Sequence, residues 1–339
     1  MTALCVIETA ACTAIGLTSP STAAAVRCGV AGFAEYPAAS DLVNKPAIVA
    51  GPPGIAALHD PVEAMAEMAT AVLAQFSNVD SIPIVLVLPE ERPGLGRDLA
   101  ARVAAAVTER FPSCRITLAS GGGHAGFAIA LQQTQTFLDR NPASVLALVG
   151  VDSYLHRETI GWLDKYRQLH ATYNAWGFIP GAAAGGCLVC HPQFIRSRSA
   201  PPLAVIEAFA TDQEEVPIKS EGVCLGLGMT RIVQTMLAGQ PEGAVFDTLY
   251  CDLNGESYRA DELGFMLMRL GRRFLSTSDF MAPADCWGDV GAASLPLYIT
   301  LASEAAAREY SRGPVSLLLA GSESGLRAGI RLRTRQRSP

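Results

Sequence analysis

The sequence predicts an α/β protein whose mostly parallel sheet is covered by helices on both faces. Short apolar runs alternate with longer stretches of helical periodicity, and this order recurs along the chain. Ile82 to Leu88 is a continuous apolar run closed by Pro89, and Val145 to Val151 is another closed by Asp152. Both read as strands buried on two faces. Between such runs, Val62 to Phe76 sets Val62, Met65, Met68, Ala69, Val72 and Leu73 at helical spacing.

In chain order, Leu4 to Ile7 reads as a strand, followed by a Thr18 to Ser21 turn, a helix through Arg27 and the glycine-bounded Gly29 to Gly32. A helix is expected from Asp98 to Arg110, a strand from Cys114 to Ala119, then a glycine-rich turn and a helix from about Ala125 to Asp139 that Asn141-Pro142 stops. The second half repeats the rhythm. Ala204 to Ala210 and Thr248 to Leu253 read as strands, Leu225 to Leu237, Glu262 to Phe274 and Ala292 to Tyr310 as helices, and Val315 to Ala320 with Ala328 to Leu332 as a terminal strand pair. The Ser/Arg/Pro stretch Arg196 to Pro202 is the expected linker. Lys45 to Pro61 carries no assignable pattern.

The 339 residues suffice for one large domain or two fused halves. Half the chain is hydrophobic, 17% is charged and 7% aromatic, with a mean hydropathy of +0.25, which suits helices packed closely on a buried sheet and surface hidden in an oligomer. The net charge of −6 opposes a nucleic-acid partner, because phosphate binding needs excess Lys and Arg. Arg331, Arg333, Arg335 and Arg337 read as a solvated strand end and terminus. The run Ile82 to Leu88 is too short to cross a bilayer. Met1 to Ala14 holds Glu8 and no Lys or Arg, so no signal segment and a cytoplasmic location are expected. Nine scattered cysteines read as small buried residues kept reduced.

Three motifs invite specific chemistry. Gly121-Gly122-Gly123-His124-Ala125-Gly126 spells G-x-G-x-x-G between a strand and a helix and precedes a strand ending in Asp152. This is a dinucleotide-binding layout that makes an oxidoreductase a remote alternative, although such a fold would start about 115 residues in. Cys187-Leu188-Val189-Cys190-His191 spells the haem-attachment motif, but its flanks are strand-like, so the two thiols point to opposite faces. His156-Arg157-Glu158 with Cys187 and Cys190 resembles a zinc deaminase signature, yet opposite-facing thiols do not share one zinc. No metal is expected.

Segments in one order across nearly the whole chain resemble β-ketoacyl synthases of the thiolase superfamily. Ala14 to Pro20 and Arg27 to Gly32 resemble the opening T-P-x-G loop and L-x-x-G-x-S-G stretch. Leu118 to Leu131 resembles the nucleophile elbow A-C-S-S-S-L-x-A-L-x-x-A, and Gly177 to Gly185 resembles G-F-V-x-G-E-G-A-G. Asp252 to Ser257 lies where N-x-H-G-T-G is found, Gly288 to Ser294 resembles G-H-x-x-G-A-A-G or G-N-T-x-A-A-S, and Gly321 to Gly325 stands in place of G-F-G-G. The resemblance implies a five-layered αβαβα fold with two similar halves, each with a mixed sheet, spanning 1–198 and 199–339 of one compact unit.

The same resemblance implies a site. An ungapped match puts Ser120 at the nucleophile position, where a strand end meets a helix N-terminus. The family's two histidines fall on Asn254 and on Gly288 or Asp289, its G-E-G-A-G glutamate on Ala182, and His124 lies one helical turn past Ser120. Gly121, Phe178, Gly288 and Ser322 are expected to contact substrate, with backbone N–H groups near Ser120 and Ser322 as oxyanion donors, and Trp162, Tyr166 and Phe178 are candidates to line an acyl pocket. A hydroxyl without a neighbouring base is a poor nucleophile, so decarboxylative condensation is not expected. Two readings follow. One is an atypical acyltransferase taking an acyl group onto Ser120 from an acyl carrier protein or coenzyme A thioester, with no resident cofactor. The other is a non-catalytic pseudo-synthase, a chain-length-factor-like or acyl-binding partner. The family implies a homodimer, or a heterodimer with an active synthase.

Overall fold

The computed structural model describes residues 2–197 and 200–335. The first half runs β1 (Leu4–Cys12), α1 (Ser19–Arg27), β2 (Phe33–Ser40), β3 (Pro46–Ala50), α2 (Pro61–Leu73), β4 (Pro83–Val87), α3 (Leu99–Arg110), β5 (Arg115–Ser120), α4 (Gly126–Arg140), β6 (Val145–Ser153), α5 (Arg157–Lys165), β7 (Ala182–Cys190) and α6 (Pro192–Ile195). The second runs β8 (Ala204–Gln213), α7 (Leu227–Leu237), β9 (Thr248–Tyr250), α8 (Ser257–Leu270), α9 (Ala284–Trp287), α10 (Ser294–Ala307), β10 (Val315–Gly321) and β11 (Leu326–Thr334).

Nine strands hydrogen-bond in the order β5-β4-β6-β7-β1-β8-β11-β10-β9, and this order contains one arrangement twice. Outward from the middle, β1, β7, β6 and β4 are matched by β8, β11, β10 and β9. In each set the first strand pairs antiparallel with the second, the second antiparallel with the third, and the third parallel with the fourth. The sets meet where Leu4–Val6 pair antiparallel with Ala204–Ile206. A single joined sheet therefore replaces two separate ones. Among the described residues the second half has no counterpart of β5; the segment at Arg273–Met281 runs along that edge, with Leu275 N donating to Phe246 O (2.9 Å) and Met281 N to Leu249 O (2.8 Å).

Layering follows from what each helix buries. Helices α2 and α3 cover the outer face of the first half-sheet, and α7 and α8 that of the second, while α4 and α10 contact strands of both halves. Three apolar clusters occupy the spaces between these five layers. Helix α10 is buried at every position from Ser294 to Ser303, as a helix apolar on all sides must be.

Most expected elements are present, with ends displaced by a few residues. The sheet is mixed rather than mostly parallel, because β1, β7, β8 and β11 run against their neighbours. The unassigned stretch before Pro61 holds β3, which pairs with β2 as a hairpin. Strand β7 begins Ala-Ala-Ala-Gly-Gly, poor strand formers that are used because helices press on both faces: a Cβ on Gly185 would lie 2.7 Å from Leu297 and one on Gly186 3.0 Å from Val72. Helix α8 starts five residues earlier than expected, since its first buried positions are the charged Arg259 and Glu262. Arg331 is buried in β11 and joins Arg333 on Glu207 of β8, so that part of the basic tail is a cross-strand ion cluster rather than a solvated end. The expected half boundary at 198/199 and Arg337 lie outside the described residues.

Close approach of α10 to β6 is the tightest of these contacts. A Cβ on Gly150 would sit 2.3 Å from Ala292 O and 3.0 Å from Pro296 Cγ. Gly150→Ala is expected to lower unfolding free energy by about 1–3 kcal/mol, read as a lower urea midpoint with unchanged m-value.

Candidate functional site

The first half contributes a strand-to-helix bend. Strand β5 ends at Ser120, and the chain turns through Gly121, Gly122 and Gly123 before α4. Gly122 has φ +147° and Gly123 φ +57°, backbone that a side chain disfavours. Space at Gly123 is closed as well, because a Cβ there would lie 2.9 Å from Glu90 Cγ. Next comes His124, buried, with Nε2 2.7 Å from Asp289 Oδ1.

The second half supplies the partners. Asp289 lies on the loop leading into α10 and also accepts from Gly291 N (2.9 Å) and from Asn254 Nδ2 (2.7 Å). Asn254, on the loop after β9, donates to Glu256 Oε2 too (3.1 Å). Glu256 accepts from Gln168 Nε2 (3.1 Å) and Arg259 Nε (3.3 Å), and Gln168 reaches on to Glu323 (2.6 Å). Arg259 bonds Asp252 and the Gly321 carbonyl (2.9 Å), and Asp252 receives Gly321 N (2.6 Å). Ser322 closes the junction, accepting from Ala125 N (2.9 Å) and donating to Gly122 O (2.8 Å).

A second buried ion pair stands alongside. Arg92 Nη2 lies 2.5 Å from Asp152 Oδ1 and 2.7 Å from Ser153 O, with its guanidinium 3.8 Å over the Tyr154 ring. Asp152 also accepts from Ala292 N (3.0 Å). Between the two pairs opens a cleft of about 410 Å³ lined by Glu90, Glu91, Arg92, His124, Trp162 and Glu323 among others. A neighbouring hollow of about 380 Å³ holds Leu88, Leu95, Leu99, Gly121 and Gly122.

Burial opposes both charges of the first pair, yet each holds the other ionised. The carboxylate of Asp289, with help from Asp252, raises the His124 imidazole above its usual value against desolvation and the repulsion of Arg259. The His124 and Arg259 cations and the Gly291 N–H hold Asp289 far below the ordinary carboxyl range against its own desolvation. Glu256 goes the other way, raised because burial outweighs its donors.

The structure therefore brings together His124, Asn254 and Asp289, with Ser322 beside them. Ser120 stands at the strand end, half-buried, and hydrogen-bonds through its side chain to none of these among the described residues. Gly121 lines the smaller hollow. Phe178 does not reach the cleft; it is buried edge-on against Tyr154 at 5.4 Å, as core. Gly288 is a backbone device: at φ +73° it leaves a Cβ position 2.6 Å from Ile179 O. Ser322 spends its hydroxyl and its N–H inside the protein, the latter on Leu326 O (2.8 Å). Of the aromatic trio, Trp162 lines the cleft, whereas Tyr166 is half exposed beside it. Sequence reasoning missed Glu90, Arg92, Glu256 and Glu323, although Glu90-Glu91-Arg92 follows a buried strand directly and Glu256 lies within the segment matched to N-x-H-G-T-G.

The other motifs resolve as structure. The N-terminus of α4 meets Glu90 and Ser322 rather than a crevice for pyrophosphate, and a carboxylate there repels phosphate. Cys187 belongs to the central core while Cys190 ends the same strand on its opposite face, and His191 caps α6 through Nδ1. Glu214, Cys224 and Glu262 place ligand atoms within 4.8 Å of one another. Their carboxylates already hold Gly228 N and Arg327, and the guanidinium opposes a cation.

Two half-sheets around a shared helix pair, with a bend of one half facing loops of the other, make up a thiolase-like fold. No protein-family model matches the chain, and no curated protein matches it. Solved ketosynthases do match in structure. The ishigamide ketosynthase/chain length factor aligns with a TM-score of 0.68 at 18% identity, over 98% of this chain and 99% of that one. A type II PKS acyl-carrier protein in complex with its ketosynthase bound to the hexaketide, AntDE:AntF, gives 0.73 at 12%, over 99% and 100%. The ketosynthase from module 6 of the bacillaene synthase of Bacillus subtilis 168 gives 0.72 at 12%, over 99% and 73%. The expected fold class is the observed one. Among the described residues, no helix is long and apolar enough to cross a membrane.

The ion pair sets a pH window. Asp289 has a lowered pKa, so its contribution is present above the unfolded carboxyl value of about 3.9 and is lost as pH falls through the folded value. His124 has a raised pKa, so its contribution is complete below the unfolded value of about 6.5 and is lost as pH rises through the folded one. Urea unfolding between pH 4 and 9 is expected to show stability declining on the alkaline side in wild type, with that decline absent from His124→Asn. An identical alkaline limb in the variant would remove His124 as its cause.

Proposed function

We propose that this chain is a non-condensing ketosynthase-fold subunit that works beside an active ketosynthase, in the manner of a chain length factor. The observation that carries this reading is the bend itself. Where the first half faces Asn254 and Asp289, it presents Gly121, Gly122 and Gly123, with Glu90 against the side of Gly123 and His124 tied to Asp289. No cysteine lines either hollow. Acyl transfer needs an activated nucleophile and N–H donors free to receive a developing oxyanion. Here the N–H groups of Gly123, Ala125, Ser322 and Glu323 are engaged by Leu88 O, Ser322 Oγ, Leu326 O and Glu90. The side chains of Glu90 and Glu323 and the carboxylate of Asp289 make this an acidic surrounding that opposes further negative charge.

The partner surface we infer is the free edge of β5. Among the described residues that strand pairs with β4 alone. Beside it α4 exposes Ile129 and Phe137, and Arg115, Thr117 and Phe137 border a shallow apolar hollow of about 170 Å³. A second chain of the same fold, a synthase or another copy, would extend the sheet there. In the AntDE:AntF structure a carrier protein accompanies its ketosynthase, which supports an acyl carrier protein as a further member of the assembly.

Two measurements test the proposal. Incubation with acyl-coenzyme A and acyl carrier proteins is expected to leave the intact mass unchanged; an acyl adduct abolished by Ser120→Ala would replace this reading with the acyltransferase one. Light scattering is expected to give a dimer, alone or with a co-expressed ketosynthase. The double variant Ile129→Asp/Phe137→Asp should shift it to monomer with unaltered circular dichroism, and a dimer that survives the double change would remove the β5 edge from the proposal.

A further inference from the structure

We propose that Cys5 and Cys190 form a cross-strand dithiol that peroxide converts to a disulfide, fastening β1 to β7. The two residues are direct partners in the antiparallel ladder. Directly opposed residues place their Cβ atoms about 4.5–5.5 Å apart, within about 1 Å of the separation a disulfide needs. The Cys190 side chain also lies within hydrogen-bonding reach of the Cys5 thiol. All nine cysteines are free, and no other pair of them stands opposed in the registered strand ladders.

Access comes from the outer face of the half-sheet. Leu4 and Val6 belong to the central core and Ile7 packs on the outer one, so Cys5 faces outward with Ile7. On β7, Cys187 and Val189 face the central core and Leu188 the outer one, so Cys190 faces outward with Leu188. Ile7 and Leu188 both line an open hollow of about 610 Å³ that also holds Phe194. The hollow brings a small oxidant to the rim of that face, beneath which both thiols are buried. The hydrogen bond from Cys190 lowers the Cys5 thiol below its usual value despite burial, whereas burial pushes Cys12 up to about 11 and Cys187 and Cys251 up to about 12. A thiolate is thus favoured within this pair over those buried thiols, and we assign Cys5 the attack.

The chemistry balances with hydrogen peroxide as oxidant. The Cys5 thiolate attacks one peroxide oxygen, the O–O bond breaks, and the departing hydroxide takes a proton to become water, leaving a sulfenic acid. The Cys190 sulfur then attacks the Cys5 sulfur, its proton leaves with the hydroxyl, and a second water departs. Two thiols and one peroxide give one disulfide and two waters.

Graded hydrogen peroxide, followed by quenching, alkylation in denaturant and peptide mapping, tests this on the whole protein. The exposed Cys28 reports the effective dose. The expected result is loss of two free thiols, a linked peptide pair containing Cys5 and Cys190, and full reversal by dithiothreitol. Cys190→Ser is expected to leave Cys5 as a dimedone-reactive sulfenic acid, and Cys5→Ser to leave Cys190 unmodified. If Cys5 and Cys190 both remain alkylatable at a dose that oxidises Cys28, or if Cys5 links elsewhere, the proposal fails. The wild-type map decides this even if a serine variant does not fold.

Discussion

The ion pair between His124 and Asp289 is the contact on which the arrangement of the two halves turns. One partner begins the central helix of the first half and the other introduces the central helix of the second. Both side chains are almost fully enclosed, at 4% and 3% exposure. Removing His124 would leave the Asp289 carboxylate short of a charged donor in a low-dielectric interior, a cost of about 3–5 kcal/mol, whereas removing Asp289 would leave a neutral imidazole, and replacing both with matched apolar groups need cost little. The pair is thus a device for register. It is embedded in further donors from Asn254 and Gly291, and the same chain of bonds reaches Arg259, Asp252 and the end of β10. A shift of one half against the other breaks several charge-assisted bonds at once.

Carboxylates collect at the start of both central helices. Asp152 receives Ala292 N and Asp289 receives Gly291 N just ahead of α10, while Glu90 lies against Gly123 ahead of α4. A helix N-terminus carries partial positive charge and unpaired N–H groups, so a fixed anion there is stabilising. Those same N–H groups are what a condensing site aims at a transient oxyanion. One position does not serve both purposes, and a resident carboxylate stabilises the fold by occupying the place where charge would have to develop.

How much of this was legible in the sequence depends on the kind of signal. Alternating apolar runs gave away the layers, since Pro83–Val87 and Val145–Ser153 are buried on both faces and nothing competes with that pattern. The hairpin Phe33–Ala50 and the Ala/Gly start of β7 were hidden because their residues are chosen for contacts made far away in sequence. Asn254 and Asp289 were found through a motif, and the structure does join them. An ungapped match points to Ser120, yet three glycines separate it from His124, the residue of that segment that meets the cluster of Asn254 and Asp289. Glu90, Arg92 and Gln168 lie outside every motif and converge only after folding, so no local pattern announces them.

The two outer edges of the joined sheet differ in a way that bears on assembly. At the second half, the missing fifth strand is replaced by the segment around Leu275–Met281, which bonds β9 and leaves that edge covered. At the first half, β5 is a six-residue strand that pairs on one side alone among the described residues, with exposed apolar residues of α4 next to it. An open edge beside apolar surface is a hazard for an isolated protein, commonly blunted by proline, bulges or a covering segment. This chain applies the covering solution at one edge and not at the other. In the proposed assembly a second molecule would cover the β5 edge in the same sense, and the bend at Gly121–Gly123, which follows β5 directly, would then lie next to that interface whether or not it carries a nucleophile.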